Sequence, residues 1–391
     1  MSIEIHSEAL GRRTQIDRVI GVYGAGDGPT VVVIAGIHGN EPAGVFALLD
    51  VLDQLRRETP RFRGKLIGLA GNLAALSRGV RYVDADLNRL WRREWIDAAF
   101  ADETHANSAK AGAELRELRE LYQRIKAILS DEAGPIHFID LHTTSSQSPP
   151  FIPFDDTLVN RRFVESFPVP GILGIEEYLP GTLLSYMTRY QTVAIGYEGG
   201  QHTEHRSIDY HRAMLWLSLE KAGCVSRTDV PRLAEQEALL QRGANGLGGF
   251  YEVRFRYEIQ PGEDFRMLPG FRSFQPVTRA QQLAENNSGA IPAPETGRIF
   301  MPLYQAQGSD GFFLIRRVAG IWLKLSKWLR HWRFERVLAL LPGVELARDD
   351  AGTLTVDTRV ARFLAIELFH LLGYRRQVRD GARIHFSRRE P

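Results

Sequence analysis

The segment Gly36-Ile-His-Gly-Asn-Glu-Pro-Ala-Gly44 carries His38 and Glu41 on a glycine-containing turn. An imidazole and a carboxylate that close in sequence can converge on one cation. A second imidazole, His142, stands in Asp140-Leu-His-Thr-Thr144. Two His and one Glu form a known ligand set for a catalytic zinc, with one position left for water. Either motif alone is weak, because the chain contains 11 His. Asp140 is placed to orient a histidine ligand from behind, and an ordinary strand-end carboxylate is an equal reading of it.

Metal-activated water needs a carboxylate to accept its proton and pass it to a leaving amine. Tyr197-Glu198-Gly-Gly-Gln-His202 offers Glu198, an acidic residue at the end of an apolar strand, where it is costly unless hydrogen-bonded or functional. Between the two histidine motifs lies Arg81-Tyr-Val-Asp-Ala-Asp-Leu-Asn-Arg89. Guanidinium matches a carboxylate and polarises a carbonyl. Arg81, Asn88 and Arg89 are therefore candidates for the substrate side, and the bland reading of the same run is a charged surface turn. His202, His205 and His211 lie close in sequence, but capping or solvated histidines account for them better than a second metal cluster.

The elements that must position these residues follow from periodicity. Val31-Val-Val-Ile-Ala-Gly36 reads as a strand buried on both faces, and the apolar spacing from Val45 to Leu55 behind Pro42 reads as a helix. Lys65–Ala70, Ile136–Leu141 and Thr192–Tyr197 read as further strands. Helical patterns run over about 108–129 and 207–222. Alternating strands and helices imply a mostly parallel or mixed sheet flanked by helices, in an α/β domain over residues 1–225. Ligands bind at the carboxyl ends of such strands, where His38, Glu41, His142 and Glu198 all fall. Residues 226–318 read as a smaller β-rich domain, from the period-two run Phe250–Tyr257 and recurring Pro-Gly turns. Residues 319–391 form a C-terminal α+β appendage, with helical patterns over 321–332 and 359–372. The first of these is basic, amphipathic and rich in Trp, and burial of its apolar stripe against a domain or subunit is favoured over a membrane surface.

Composition narrows the classes. Lys plus Arg total 49 against 47 Asp plus Glu, a net charge of +2, so there is no general attraction to nucleic acid or acidic membrane. The single cysteine, Cys224, excludes an intrachain disulfide and a thiolate cluster. No apolar run reaches the roughly 18 to 20 residues of a spanning helix, and the first 21 residues do not resemble a signal peptide. The expectation is a soluble cytoplasmic protein, with a homo-oligomer left open.

Five blocks in order resemble the succinylglutamate desuccinylase and aspartoacylase family, which is related to the zinc carboxypeptidases: Gly36–Glu41, Asn72-Leu-Ala-Ala75, Arg81–Arg89, Asp140-Leu-His142 and Glu198–His202. The resemblance covers roughly residues 30 to 225, and more loosely the β-rich domain. It implies that His38, Glu41 and His142 bind one Zn2+ per chain and that Glu198 is the general acid/base. It also implies that Arg81 polarises the scissile carbonyl while Asn88 and Arg89 grip a substrate carboxylate. The implied substrate is a small N-acyl amino acid or related amide. The family's further Arg or Tyr has three candidates without clear register, Tyr186, Arg189 and Tyr190. Two other functions use the same fold: a zinc carboxypeptidase acting on peptides, with a wider cleft, and a binding protein without turnover, which has no physical reason to retain Glu198.

Overall fold

The computed structural model describes residues 2–7, 11–101, 112–331, 344–346, 353–357, 373–380 and 383–388. An antiparallel hairpin, β1 (Ile3–Ser7) and β2 (Arg12–Ile16), precedes β3 (Val19–Tyr23) and β4 (Thr30–Ala35). All six residues of β4 are buried, with Val31, Val33 and Ala35 in one apolar core and Val32 and Ile34 in another. Successive side chains of a strand point to opposite faces, so a continuous β-branched run belongs at the centre of a doubly covered sheet.

The chain continues through α1 (Ala43–Glu58), β5 (Lys65–Ala70), α2 (Leu73–Leu76), α3 (Arg93–Phe100), α4 (Gly112–Asp131) and β6 (Ile136–Thr144). It then forms β7 (Ile152–Pro153), α5 (Leu158–Val164), β8 (Gly171–Leu173), α6 (Leu183–Met187), β9 (Val193–Gln201), α7 (His205–Ala222) and α8 (Leu233–Gly243). The central sheet has the order β3-β5-β4-β6-β9. Its last four strands are parallel and β3 is antiparallel, so the sheet is mixed. Helices α1 and α7 cover one face, and α3 and α4 the other. Both cores are made of Val, Leu, Ile and aromatic side chains, each worth about 1.5 to 3 kcal/mol when fully buried. Register decides the site: Ala35 pairs with Leu141, and His142 pairs with Glu198, so the functional residues emerge along one rim.

The β-rich region holds β10 (Phe250–Glu258), β11 (Arg266–Met267), β12 (Pro276–Val277), β13 (Gln282–Asn286), β14 (Gly289–Pro292), β15 (Gly297–Phe300) and β16 (Asp310–Arg317). Its main sheet, β12-β15-β16-β10-β8-β7, takes in two strands from before residue 225. Phe250 pairs in parallel with Gly171, and Phe151 of the first region packs with Phe274 and Phe300 of the second. A continuous sheet and a shared aromatic core thus tie the β-rich region to the preceding region.

Helix α9 (Gly320–His331) docks through Ser326, Leu329 and Arg330. Arg330 donates to Asp156 at 2.9 Å, and Asp156 also holds Arg161 at 2.6 Å. Part of the expected apolar stripe is covered within the chain, with Leu329 buried and Leu323 packed on the first core. Ile321, Trp322 and Trp328 of α9 are 71%, 52% and 52% exposed. Beyond it, β17 (Val344–Leu346), β18 (Thr353–Asp357), β19 (Tyr374–Asp380) and β20 (Arg383–Arg388) form an antiparallel sheet, β17-β18-β20-β19. The helical pattern expected over 359–372, Trp332 and the first residues of the pattern from 108 lie outside the described residues. No helix among the described residues is long and apolar enough to cross a membrane.

Candidate active site

His38 and Glu41 lie on the turn between β4 and α1. The turn is tight: Gly36 adopts φ +74°, and a Cβ on Gly39 would stand 2.1 Å from the backbone carbon of Ala75. That approach is open only to glycine. Residues 38 and 41 face the end of β6, where the amide of Thr143 donates to Glu41 Oε2 at 2.9 Å. Glu41 then stands between two rings, with Oε1 2.9 Å from His38 Nδ1 and Oε2 3.3 Å from His142 Nδ1. All three side chains are buried, and one ligand atom from each lies within 4.8 Å of the others. Among the described residues they are the one group able to hold a metal ion.

The far nitrogen of each ring also meets a carboxylate. His38 Nε2 is 3.2 Å from Asp86 Oδ1, and His142 Nε2 is 2.9 Å from Asp140 Oδ2. A neutral imidazole has one N–H, so two neutral rings supply two donors for four carboxylate contacts. A divalent cation held by Glu41 and one nitrogen of each ring would relieve the shortage, and the other nitrogen of each ring would then face Asp86 or Asp140. Carboxylates behind ligating histidines fix their tautomer in this way. Two nitrogens and one carboxylate oxygen, closed to thiolate, suit zinc.

Electrostatics agree with the geometry. Burial pushes the Glu41 carboxyl up, but the neighbouring His38 and hydrogen bonds from His142 and His38 hold it well below its ordinary value. Burial likewise opposes the ionised form of Asp86, and His38, Arg81 and Arg89 outweigh it. For His142 the burial penalty is overcome by Asp140 and Glu41, and its value rises. Glu198 goes the other way. Burial dominates and pushes it up to about 8, and its Oε2 is buried without a hydrogen-bond partner. Its backbone exchanges two hydrogen bonds with Phe151, at 3.0 and 3.1 Å, which pins the strand end.

Arg81 reaches the same centre, 3.5 Å from Glu41 Oε1 and 3.2 Å from Asp86 Oδ2. Its loop is held by Glu114 of α4, a fully buried carboxylate that accepts from the amides of Val83, Asp84 and Ala85 at 2.7, 3.0 and 3.2 Å. Glu114 also accepts from the side chain of Asn72, which caps α2. Asn88 Oδ1 accepts from the Leu183 amide at 2.9 Å, and Arg89 donates to Asp310 of β16 at 3.0 Å.

His202 accepts from Thr143 Oγ1 at 2.7 Å and donates to Gln305 at 3.0 Å. His205 is exposed and ion-pairs with Asp209, while His211 is buried against the His142 carbonyl. Among the described residues, none of the three histidines belongs to a group able to hold a metal ion. Tyr186 and Tyr190 share a 2.6 Å hydrogen bond in an aromatic cluster with Trp91 and Tyr122, and Arg189 lies over the Tyr186 ring.

Sequence reasoning missed Asp86, Glu114, Gln305 and Asp310. Asp86 carried a usable signal, lying inside the block already singled out. Glu114 sits in a helix with several similar Glu residues, and Gln305 and Asp310 are far from the motifs in sequence. The cavity beside the triad, lined by Arg81, Thr143, His202, Gln305 and Asp310, measures about 50 Å³. Neither this cavity nor a larger one of about 1200 Å³, lined by His137, Phe163, Lys327 and Trp328 among others, is lined by a residue of the triad.

The catalytic-domain model of the succinylglutamate desuccinylase/aspartoacylase family matches residues 27–212. A succinylglutamate desuccinylase of Serratia proteamaculans (strain 568) is 33% identical over 250 residues, covering 61% of this chain and 68% of that protein. An N-acyl-aromatic-L-amino acid amidohydrolase (carboxylate-forming) of Xenopus tropicalis is 29% identical over 205 residues, 51% of this chain and 57% of that protein. Among solved structures, a succinylglutamate desuccinylase/aspartoacylase from Rhodobacter sphaeroides superposes with a TM-score of 0.54 at 18% identity, covering 76% of this chain and 88% of that one. Succinylglutamate desuccinylase from Vibrio cholerae gives 0.52 at 16% identity, covering 81% and 91%. At such identities the structures establish a shared fold alone; it is the sequence matches across the metal-capable rim that carry kinship, and by them this chain belongs to the succinylglutamate desuccinylase/aspartoacylase family of metal-dependent amidohydrolases.

Proposed function

We propose that this chain is a zinc-dependent hydrolase of a small N-acyl amino acid, with His38, Glu41 and His142 as the metal ligands. The observation that carries the reading is the convergence of those three buried ligand atoms beside Glu198, whose buried oxygen has no partner. A zinc ion there would supply a water of lowered pKa and polarise the amide oxygen. In its ionised form, which the positive charge of a bound zinc would favour, Glu198 takes the proton of the attacking water and passes it to the amine nitrogen as the C–N bond breaks. Water is consumed, and a carboxylate and an amine leave. Arg81 donates to the oxygen on which negative charge develops, which is where a preorganised donor lowers the barrier most. Asn88 and Arg89 orient the substrate carboxylate.

Relatives named for N-acyl amino acid hydrolysis support this class of substrate. Metal analysis of the purified protein followed by an amine-release screen over N-acetyl and N-succinyl amino acids tests the reading. Bound zinc with turnover of at least one such amide is the expected result. Turnover confined to peptides, or none at all with zinc bound, overturns it.

A further inference from the structure

Asp310 opens β16 and reaches the loop that carries Arg89. Its Oδ2 accepts from one terminal nitrogen of Arg89 at 3.0 Å, and its Oδ1 accepts from Arg256 Nε at 2.6 Å. The other terminal nitrogen of Arg89 donates to the Asn88 carbonyl at 3.0 Å. Each terminal nitrogen of Arg89 thus already has an acceptor, and the terminal edge of its fork is shared with Asp310 while Asp310 stays in place. Arg256 is anchored independently, donating to the Tyr178 carbonyl at 2.9 Å. Asp310 also lines the small cavity with Arg81 and His202.

We infer that Asp310 is a specificity-determining residue that selects against a second carboxylate in the amine half of the substrate. The inference rests on the reading above that Arg89 receives the substrate carboxylate. Around Asp310, the guanidinium groups of Arg89 and Arg256 are balanced by Asp310 itself and by Glu258, 3.2 Å from Arg256, so a single incoming carboxylate already leaves the cluster with an excess of negative charge. That carboxylate displaces Asp310 from Arg89, and Asp310 stays paired with Arg256, so no buried charge is stranded. A second carboxylate meets the displaced Asp310 at close range, where like charges in a partly buried cleft repel strongly. The favoured substrates are N-acyl derivatives of amino acids with uncharged side chains.

The test uses the zinc-loaded full chain, N-acetyl-L-methionine and N-acetyl-L-glutamate. The wild type is expected to prefer the methionine derivative in kcat/KM. Asp310→Asn should move the ratio at least tenfold toward the glutamate derivative, with the gain in KM larger than the change in kcat. A purely structural role for Asp310 would lower activity on both alike, and an unchanged or oppositely shifted ratio overturns the inference. Asp310→Ser serves if the first variant does not fold. If the wild type hydrolyses neither compound, the proposed function fails on these substrates. Calorimetric binding then decides Asp310 separately: Asp310→Asn should tighten glutarate relative to butyrate tenfold, and no change in that ratio ends the idea.

Discussion

His142 and Glu198 are direct register partners on the neighbouring parallel strands β6 and β9. A candidate metal ligand and a candidate proton carrier are therefore held by backbone hydrogen bonds of one sheet. Two side chains fixed in this way lose little entropy when substrate binds, which is how a rigid scaffold preorganises a site.

Removal of the Glu198 carboxylate separates its role from metal binding. In Glu198→Ala, amine release should fall by about 10²- to 10⁴-fold, the usual range for a lost general acid/base. Zinc content measured on the same preparation should stay at the wild-type level. Turnover at the wild-type rate would remove Glu198 from the mechanism.

Asp86 and Asp140 each face the far nitrogen of one candidate ligand histidine. Asp86→Asn and Asp140→Asn should each weaken zinc about 10- to 100-fold in a competition titration with a chelator. His38→Ala should lose the metal outright. Equal zinc affinity in all three variants would place the ion elsewhere.

Glu114 organises the loop that presents Arg81. Glu114→Ala removes the shared acceptor of three partly buried amides and of the buried Asn72 side chain, and a buried donor left unpaired costs about 1 to 3 kcal/mol, so urea unfolding should report a loss of at least about 2 kcal/mol. The protein that remains folded should show lower kcat/KM, because the loop of Arg81 is no longer fixed. Unfolding at the wild-type midpoint would contradict the role.

His137 gives a pH dependence of stability. Burial lowers its value to about 4 from an ordinary 6.5. The folded state thus holds it neutral while the unfolded chain takes up a proton below pH 6.5. Its contribution is intact above pH 6.5 and is lost as the pH falls toward 4. In thermal melts His137→Phe should narrow the gap between the melting temperatures at pH 7 and pH 4.5; a gap that stays the same width counts against it.

The strands that end at the rim, and the residues just past them, can be read from the chain's local pattern. β4, β5, β6 and β9 are continuous apolar runs whose signal is local, and a residue that follows such a run in an α/β sheet has few other places to go. His38, Glu41, His142 and Glu198 were legible for that reason. The hairpin of β1 and β2 was not, because its alternation is short and largely polar. Only the tertiary structure decided which carboxylate backs which histidine, that Glu114 rather than another Glu of α4 holds the Arg81 loop, and that Asp310 engages Arg89 from 221 residues away. Those choices depend on how helices and sheets pack against each other, and side-chain type alone does not distinguish one glutamate or aspartate from its neighbours.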